Sequence, residues 1–212
     1  MKKDIFGSLV VGGLICFCAS AEAANDGATV YVARLQPLNS KVAGGDASGE
    51  ARFTIKGDTL TILIDAKGLP ADIMHLQHFH GFKDNREANC PTAAADVDGD
   101  GIIDLIETEP VSGTTMVPFH DDPVSMQIVN DTYPKASAAG SYHYDKTVSL
   151  SALKAAFAKT FDDPDLDLDK RVVYIHGIFP TTKLPASVAS LGTIPAQVTL
   201  PIACGKIERV AQ

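Results

Sequence analysis

The chain has 212 residues, 45% hydrophobic and 21% charged, with a formal net charge of −8. It is long enough for one domain with a sizeable core, and too apolar for a disordered chain. The acidic balance leaves no basic footprint to neutralise phosphates, which excludes the usual nucleic-acid binder.

Residues 1–23 read as an export signal. Lys2 and Lys3 precede an apolar run from Ile5 to Ala19, and Ala21-Glu22-Ala23 forms a small-residue cleavage site. The run is short for a membrane span, so an uncleaved anchor is the minor alternative. No other long apolar run follows, and no stable membrane span is expected after cleavage. Residues 24–212 then form one exported domain, periplasmic or secreted. In an oxidising compartment Cys90 and Cys204, the cysteines left after cleavage, are expected to pair; two buried free thiols are the alternative.

Ala28–Leu35, Ala51–Lys56 and Thr59–Asp65 alternate polar and apolar residues, and Lys56-Gly57-Asp58 is a tight hairpin signal between the last two. Further strands are expected at Leu76–Phe82, Val124–Val129, Ser141–Val148, Arg171–Phe179, Gln197–Ile202 and Lys206–Val210. Short strands between Gly, Pro and Asp turns predict an all-β antiparallel sandwich or barrel. Lys83–Pro123 and Pro180–Ala196 are the long irregular stretches. One helix is expected between two strands, capped by Ser149, with Leu150, Leu153, Phe157 and Phe161 at helical spacing. Asp162–Asp169 lacks the glycine a cation loop needs and reads as a solvated acidic loop.

Inside the first irregular stretch, residues 96–107 fit the twelve-residue EF-hand calcium loop. Asp96, Asp98 and Asp100 offer carboxylates. Gly101 permits the sharp turn, and Ile102 offers its carbonyl. Asp104 acts directly or through water, and Glu107 closes the site with two oxygens. Cys90-Pro91 before the loop and Pro110 after it leave room for only a short exiting helix. The expected role is structural, ordering the insertion beside Cys90; the alternative is an Asp/Gly turn cluster that binds nothing.

Half of the six histidines fall in His75-Leu-Gln-His78-Phe-His80. On a regular strand His78 and His80 share one face and His75 takes the other. His176 sits among β-branched residues in a further strand. Imidazole ligands suit copper or zinc better than calcium or magnesium. His75 and His143 read as structural, and His120 lies in a loop. No nucleophile motif or phosphate-binding glycine loop is present.

The segments Gly68-Leu69, His75-Leu-Gln-His78-Phe-His80-Gly-Phe-Lys-Asp84, Cys90, Val172-Val173-Tyr-Ile-His176 and Ile202-Ala203-Cys204-Gly205-Lys-Ile207 resemble, in order and rough spacing, the motifs of the Cu/Zn superoxide dismutase family. The resemblance implies a Greek-key β-sandwich or barrel. It implies copper held by His78, His80 and His176, with His120 the candidate for the ligand that bridges copper and zinc in the family. It makes His75 the structural histidine beside them, pairs Cys90 with Cys204, and implies disproportionation of superoxide to O2 and H2O2. The chain departs from the family at Pro201, where an arginine beside the copper guides and binds the anion. It also lacks a clean set of zinc ligands, and Pro180–Ala196 carries only Lys183 to steer superoxide. A copper-only or degenerate member is therefore expected rather than a full Cu/Zn enzyme, with zinc and a homodimer left open. A copper-binding or storage protein without turnover, and a calcium-stabilised β-sandwich without a redox metal, are the alternative readings.

Overall fold

The structure is a computed structural model and describes residues 27–129, 131–163 and 165–211. The expected export signal lies outside the described residues. None of the described helices is long and apolar enough to cross a membrane.

Eight strands are described: β1 (Thr29–Pro37), β2 (Ser48–Lys56), β3 (Thr59–Lys67), β4 (Gln77–Gly81), β5 (Thr114–Pro118), β6 (Ser141–Ser149), β7 (Val172–His176) and β8 (Pro201–Arg209). All pair antiparallel in one sheet of order β5-β4-β7-β8-β1-β2-β3-β6. Four α-helices accompany them: α1 (Ser40–Ala43), α2 (Leu105–Ser112), α3 (Leu150–Phe161) and α4 (Ala196–Thr199).

The alternation read from sequence sets the inner face. Ala51 and Phe53 of β2, and Leu60, Ile62 and Ile64 of β3, are buried at every second position. Gly57, at φ 57°, closes the hairpin between them, with Lys56 opposite Thr59. The sheet curls so that these side chains meet Phe79, Val173, Ile175 and Ile202 from its other half in one apolar cluster. Phe119 bridges the halves, with its ring centroid 5.7 Å from Phe53 and 6.0 Å from Phe79. Ser149 caps α3 by accepting the Ala152 amide N–H, and the helix lays Leu153 and Phe157 into the same core.

β4 and β7 are buried along their whole length. Their inner face is the core. Their outer face carries His78, His80, Tyr174 and His176, with Tyr174 facing Ser112 of the 82–113 insertion and His176 facing the segment that ends in α4. β4 and β7 pair with each other in unbroken register. The register shifts fall on their other edges, between Phe79 and His80 against β5 and between Ile175 and His176 against β8.

Three strand expectations change. Val124–Val129 is not a strand: Pro123 starts a single 3-10 turn and Met126 has φ 57°, which breaks any ladder. Gln197–Ile202 and Lys206–Val210 are not two strands. Residues 196–199 coil into α4, and one continuous β8 follows, pairing β7 between Pro201 and Lys206 and β1 between Ala203 and Arg209, so that Ala203 and Cys204 pair with both. β5 forms inside Lys83–Pro123, which was expected to be irregular.

Cys90 and Cys204 form a disulfide, with Cα atoms 5.8 Å apart and a sequence separation of 114. It fastens the insertion to the outer face of β8. Replacing both cysteines by serine is expected to lower unfolding stability by about 2–4 kcal/mol, because the bridge restricts the unfolded chain across a long loop. Urea denaturation of the double variant beside the oxidised protein measures it.

Candidate metal centre

The β4–β7 ladder places His78 opposite Tyr174, so His176 lies diagonally across from His78 on the same face. His78, His80 and His176 are 3%, 7% and 6% exposed. The His78 ring centroid lies 4.8 Å from that of His80 and 4.6 Å from that of His176. One nitrogen from each ring falls within 4.8 Å of the others.

Backbone carbonyls fix the orientation of two rings. His80 Nδ1–H donates to the Gly113 carbonyl (3.1 Å), and His176 Nδ1–H donates to the Thr199 carbonyl (2.7 Å). A carbonyl only accepts, so both Nε2 atoms present lone pairs. His80 Nε2 faces His78 Nδ1 and the Thr115 hydroxyl, each at 3.1 Å. His176 Nε2 is buried with no hydrogen-bond partner. An unmet buried polar atom costs about 1–3 kcal/mol, and a bound metal ion would satisfy it. A separation of 3.1 Å between two ring nitrogens subtends about 95–100° at an ion held with metal–nitrogen bonds of about 2.0–2.1 Å, which is an ordinary angle between neighbouring ligands. Orientation of the His80 and His176 rings by their second nitrogens is also the usual arrangement for metal-binding histidines. The trio therefore fits a metal ion.

Burial pushes all three rings toward the neutral form that a metal requires. The His80 pKa falls to about 3, chiefly by desolvation and then by repulsion from His176. That of His176 falls to about 4 by desolvation, against the pull of the Thr199 carbonyl. That of His78 lies well below the ordinary value, through desolvation and then repulsion from His176 and His80.

Sequence reasoning missed the two carbonyls. Gly113, at φ 72°, follows α2, and a Cβ there would sit 2.1 Å from the Gly81 carbonyl oxygen. Only glycine lets the 113 carbonyl come this close to His80. The signal was a glycine just past a short helix. Thr199 left no comparable trace.

The other candidate residues lie elsewhere. His75 is fully buried ahead of β4, with ring nitrogens 3.0 Å from the His176 carbonyl and 2.9 Å from the Pro70 carbonyl. It braces the chain behind His176. His120 does not join the trio. Its Nε2–H donates to the Gln127 carbonyl (2.8 Å) and its Nδ1 accepts the Asp122 amide N–H (3.1 Å), so its own loop uses both nitrogens. The expected fourth ligand is corrected on that ground. His143 is exposed and pairs with Asp65 at 2.7 Å. Pro201 is buried at the head of β8 opposite His176.

The acidic loop brings Asp96, Asp98 and Glu107 oxygens within 4.8 Å of one another. Gly101 has φ 82° and donates its N–H to Asp96, while Gly99 N–H binds the other Asp96 oxygen. All five loop carboxylates accept backbone N–H groups, Glu107 from Val97, Asp98 and Asp104 among them, and Asp100 and Asp104 also reach the 187–189 segment. Asp100 accepts the Ile102 amide N–H and the Ser187 hydroxyl. Asp104 caps α2 through Ile106 and Glu107 and accepts the Ala189 amide N–H (2.6 Å). Ile102 buries its side chain in the core.

The trio floors a cavity of about 330 Å³. Its walls are mostly apolar, including Leu105, Ile128, Leu191, Ile194 and Val198, and Glu109 is the one acidic or basic residue besides the histidines among its described lining.

The neutral rings make metal-free stability fall in acid. An unfolded histidine takes a proton near pH 6.5, whereas folded His80 and His176 resist until about 3 and about 4. Between those limits the unfolded chain binds more protons, so lowering the pH favours unfolding. The Tm of metal-free protein is expected to drop from pH 7 to pH 5, with a shallower slope in His80→Phe, as thermal melts across that range would show. No protein-family model matches this chain, and no curated protein does.

Proposed function

We propose that this is an exported copper protein that holds one copper ion through His78 Nδ1, His80 Nε2 and His176 Nε2. The observation that carries the reading is the buried, unpartnered His176 Nε2 beside two further ring nitrogens. Three neutral imidazoles with no carboxylate among them favour copper over calcium or magnesium, and copper over zinc by intrinsic affinity. The strand order, with β6 beside β3 and β4 between β5 and β7, is compatible with a Greek-key barrel of the Cu/Zn superoxide dismutase type.

Bound copper would supply one-electron exchange, and disproportionation of superoxide is the activity this reading implies. The chain's own residues hold the rings neutral, fix them through Gly113 and Thr199, and leave the centre reachable from the cavity. No lysine or arginine stands in the described lining to draw in an anion, and steering of that kind is worth orders of magnitude in association rate. That observation favours the second reading, copper binding or storage without appreciable turnover.

Copper titration followed by elemental analysis is expected to give one tightly held ion. His80→Ala or His176→Ala should weaken binding by more than the roughly 10–100-fold typical of losing an outer-shell contact. Failure to bind copper overturns the proposal, and turnover no faster than free-copper controls leaves only the binding reading.

We further propose that the acidic loop takes calcium through Asp96, Asp98 and Glu107 and serves stability. For a site of about 10⁻⁴–10⁻³ M, millimolar calcium should raise Tm by roughly 1–5 °C. A melt with calcium, with chelator and with Asp98→Asn tests this; an unchanged Tm in all three sinks it.

A further inference from the structure

The cavity over the trio has a chemistry that the copper reading alone does not require. At about 330 Å³ it reaches the size range of small-molecule sites, which are mainly apolar with a few fixed polar groups. Its apolar wall is assembled from separate parts of the chain. Leu105 comes from α2, Ile128 and Val129 from the segment after β5, Leu191 and Ile194 from the loop before α4, and Val198 from α4 itself. Val129 and Leu191 are 75% and 51% exposed, so large apolar side chains stand in solvent around the opening. The three histidines of the trio line the same cavity, and His176 Nε2 is buried without a hydrogen-bond partner. Glu109 is the only lining carboxylate, and no lining lysine or arginine offsets it. A small anion entering this space would lose hydration and meet no lining lysine or arginine, so that the metal's own charge is the one attraction left to it. An uncharged ring would lose little and would cover the apolar wall.

We propose that this cavity selects an uncharged, largely apolar heteroaromatic base, bound to the centre through one nitrogen, over small anions. The proposal rests on the copper reading above. Leu191, Ile194 and Val198 act as selectivity residues, and the metal supplies the anchoring point.

The test uses the exported chain loaded with copper(II), with stoichiometry measured first by elemental analysis. Imidazole, 4-phenylimidazole and azide are then titrated separately in mildly alkaline buffer, followed by visible absorption and electron paramagnetic resonance. 4-Phenylimidazole is expected to bind at least about tenfold more tightly than imidazole, the gain from burying a phenyl ring, and azide more weakly than either. Ile194→Asp and Leu191→Asp should erase the phenyl preference while copper stoichiometry stays unchanged. Leu191→Ser, at an exposed position, gives the same readout if the aspartate variants do not fold. Equal affinity for imidazole and 4-phenylimidazole, or tightest binding of azide, overturns the pocket inference and leaves the copper reading standing. Absence of bound copper overturns both.

Discussion

The two-residue repeat of adjacent strands is the constraint on which the molecule depends. In β4, Phe79 points into the core while His78 and His80 point away from it; in β7, Val173 and Ile175 point inward while Tyr174 and His176 point away. The apolar residues that hold these strands in the sheet thus aim the imidazoles at a common spot. No separate folding unit builds the centre. It is the reverse side of the core, and a one-residue slip between β4 and β7 would exchange phenyl and imidazole faces.

Burying that reverse side takes extra chain. The insertion between β4 and β5 and the segment between β7 and β8 cover it, and several links hold the cover down. The disulfide joins Cys90 to β8. Asn39 donates to the Ile103 and Pro201 carbonyls (2.8 and 2.9 Å) and accepts the Ile103 amide N–H (2.9 Å). The Ser112 and Tyr174 hydroxyls meet at 2.6 Å. Asp104 and Asp100 reach the 187–189 segment that precedes the cavity rim. The cover is tied by polar groups, which leaves its apolar side chains free to line the cavity.

Much of this was legible in the sequence because it rests on periodicity. His78 and His80 share a face for the same reason that Ile62 and Ile64 do, and the capped helix α3 showed in Ser149 and its apolar repeat. What escaped was tertiary. β5 is a short strand at the end of the sheet order, paired with β4 alone and interrupted at Met116, and its flanking residues look like loop. β8 crosses Cys204 and Gly205 without a break because Gly205 lies against the Arg34 carbonyl, where a Cβ would come within 2.8 Å. His120 entered as a ligand candidate only through the family resemblance. Its ring nitrogens are spent on Gln127 and Asp122, a local arrangement that spacing does not encode.

The placement of the two ladder irregularities has an evolutionary consequence. Both fall on the edges that β4 and β7 share with β5 and β8, while the ladder joining β4 to β7 runs unbroken. Distances among the imidazoles are therefore inherited from one short pairing and are insulated from length changes in the flanking strands. Descendants could gain or lose residues at either outer seam, and so reshape the approach to the centre, without respacing the rings themselves.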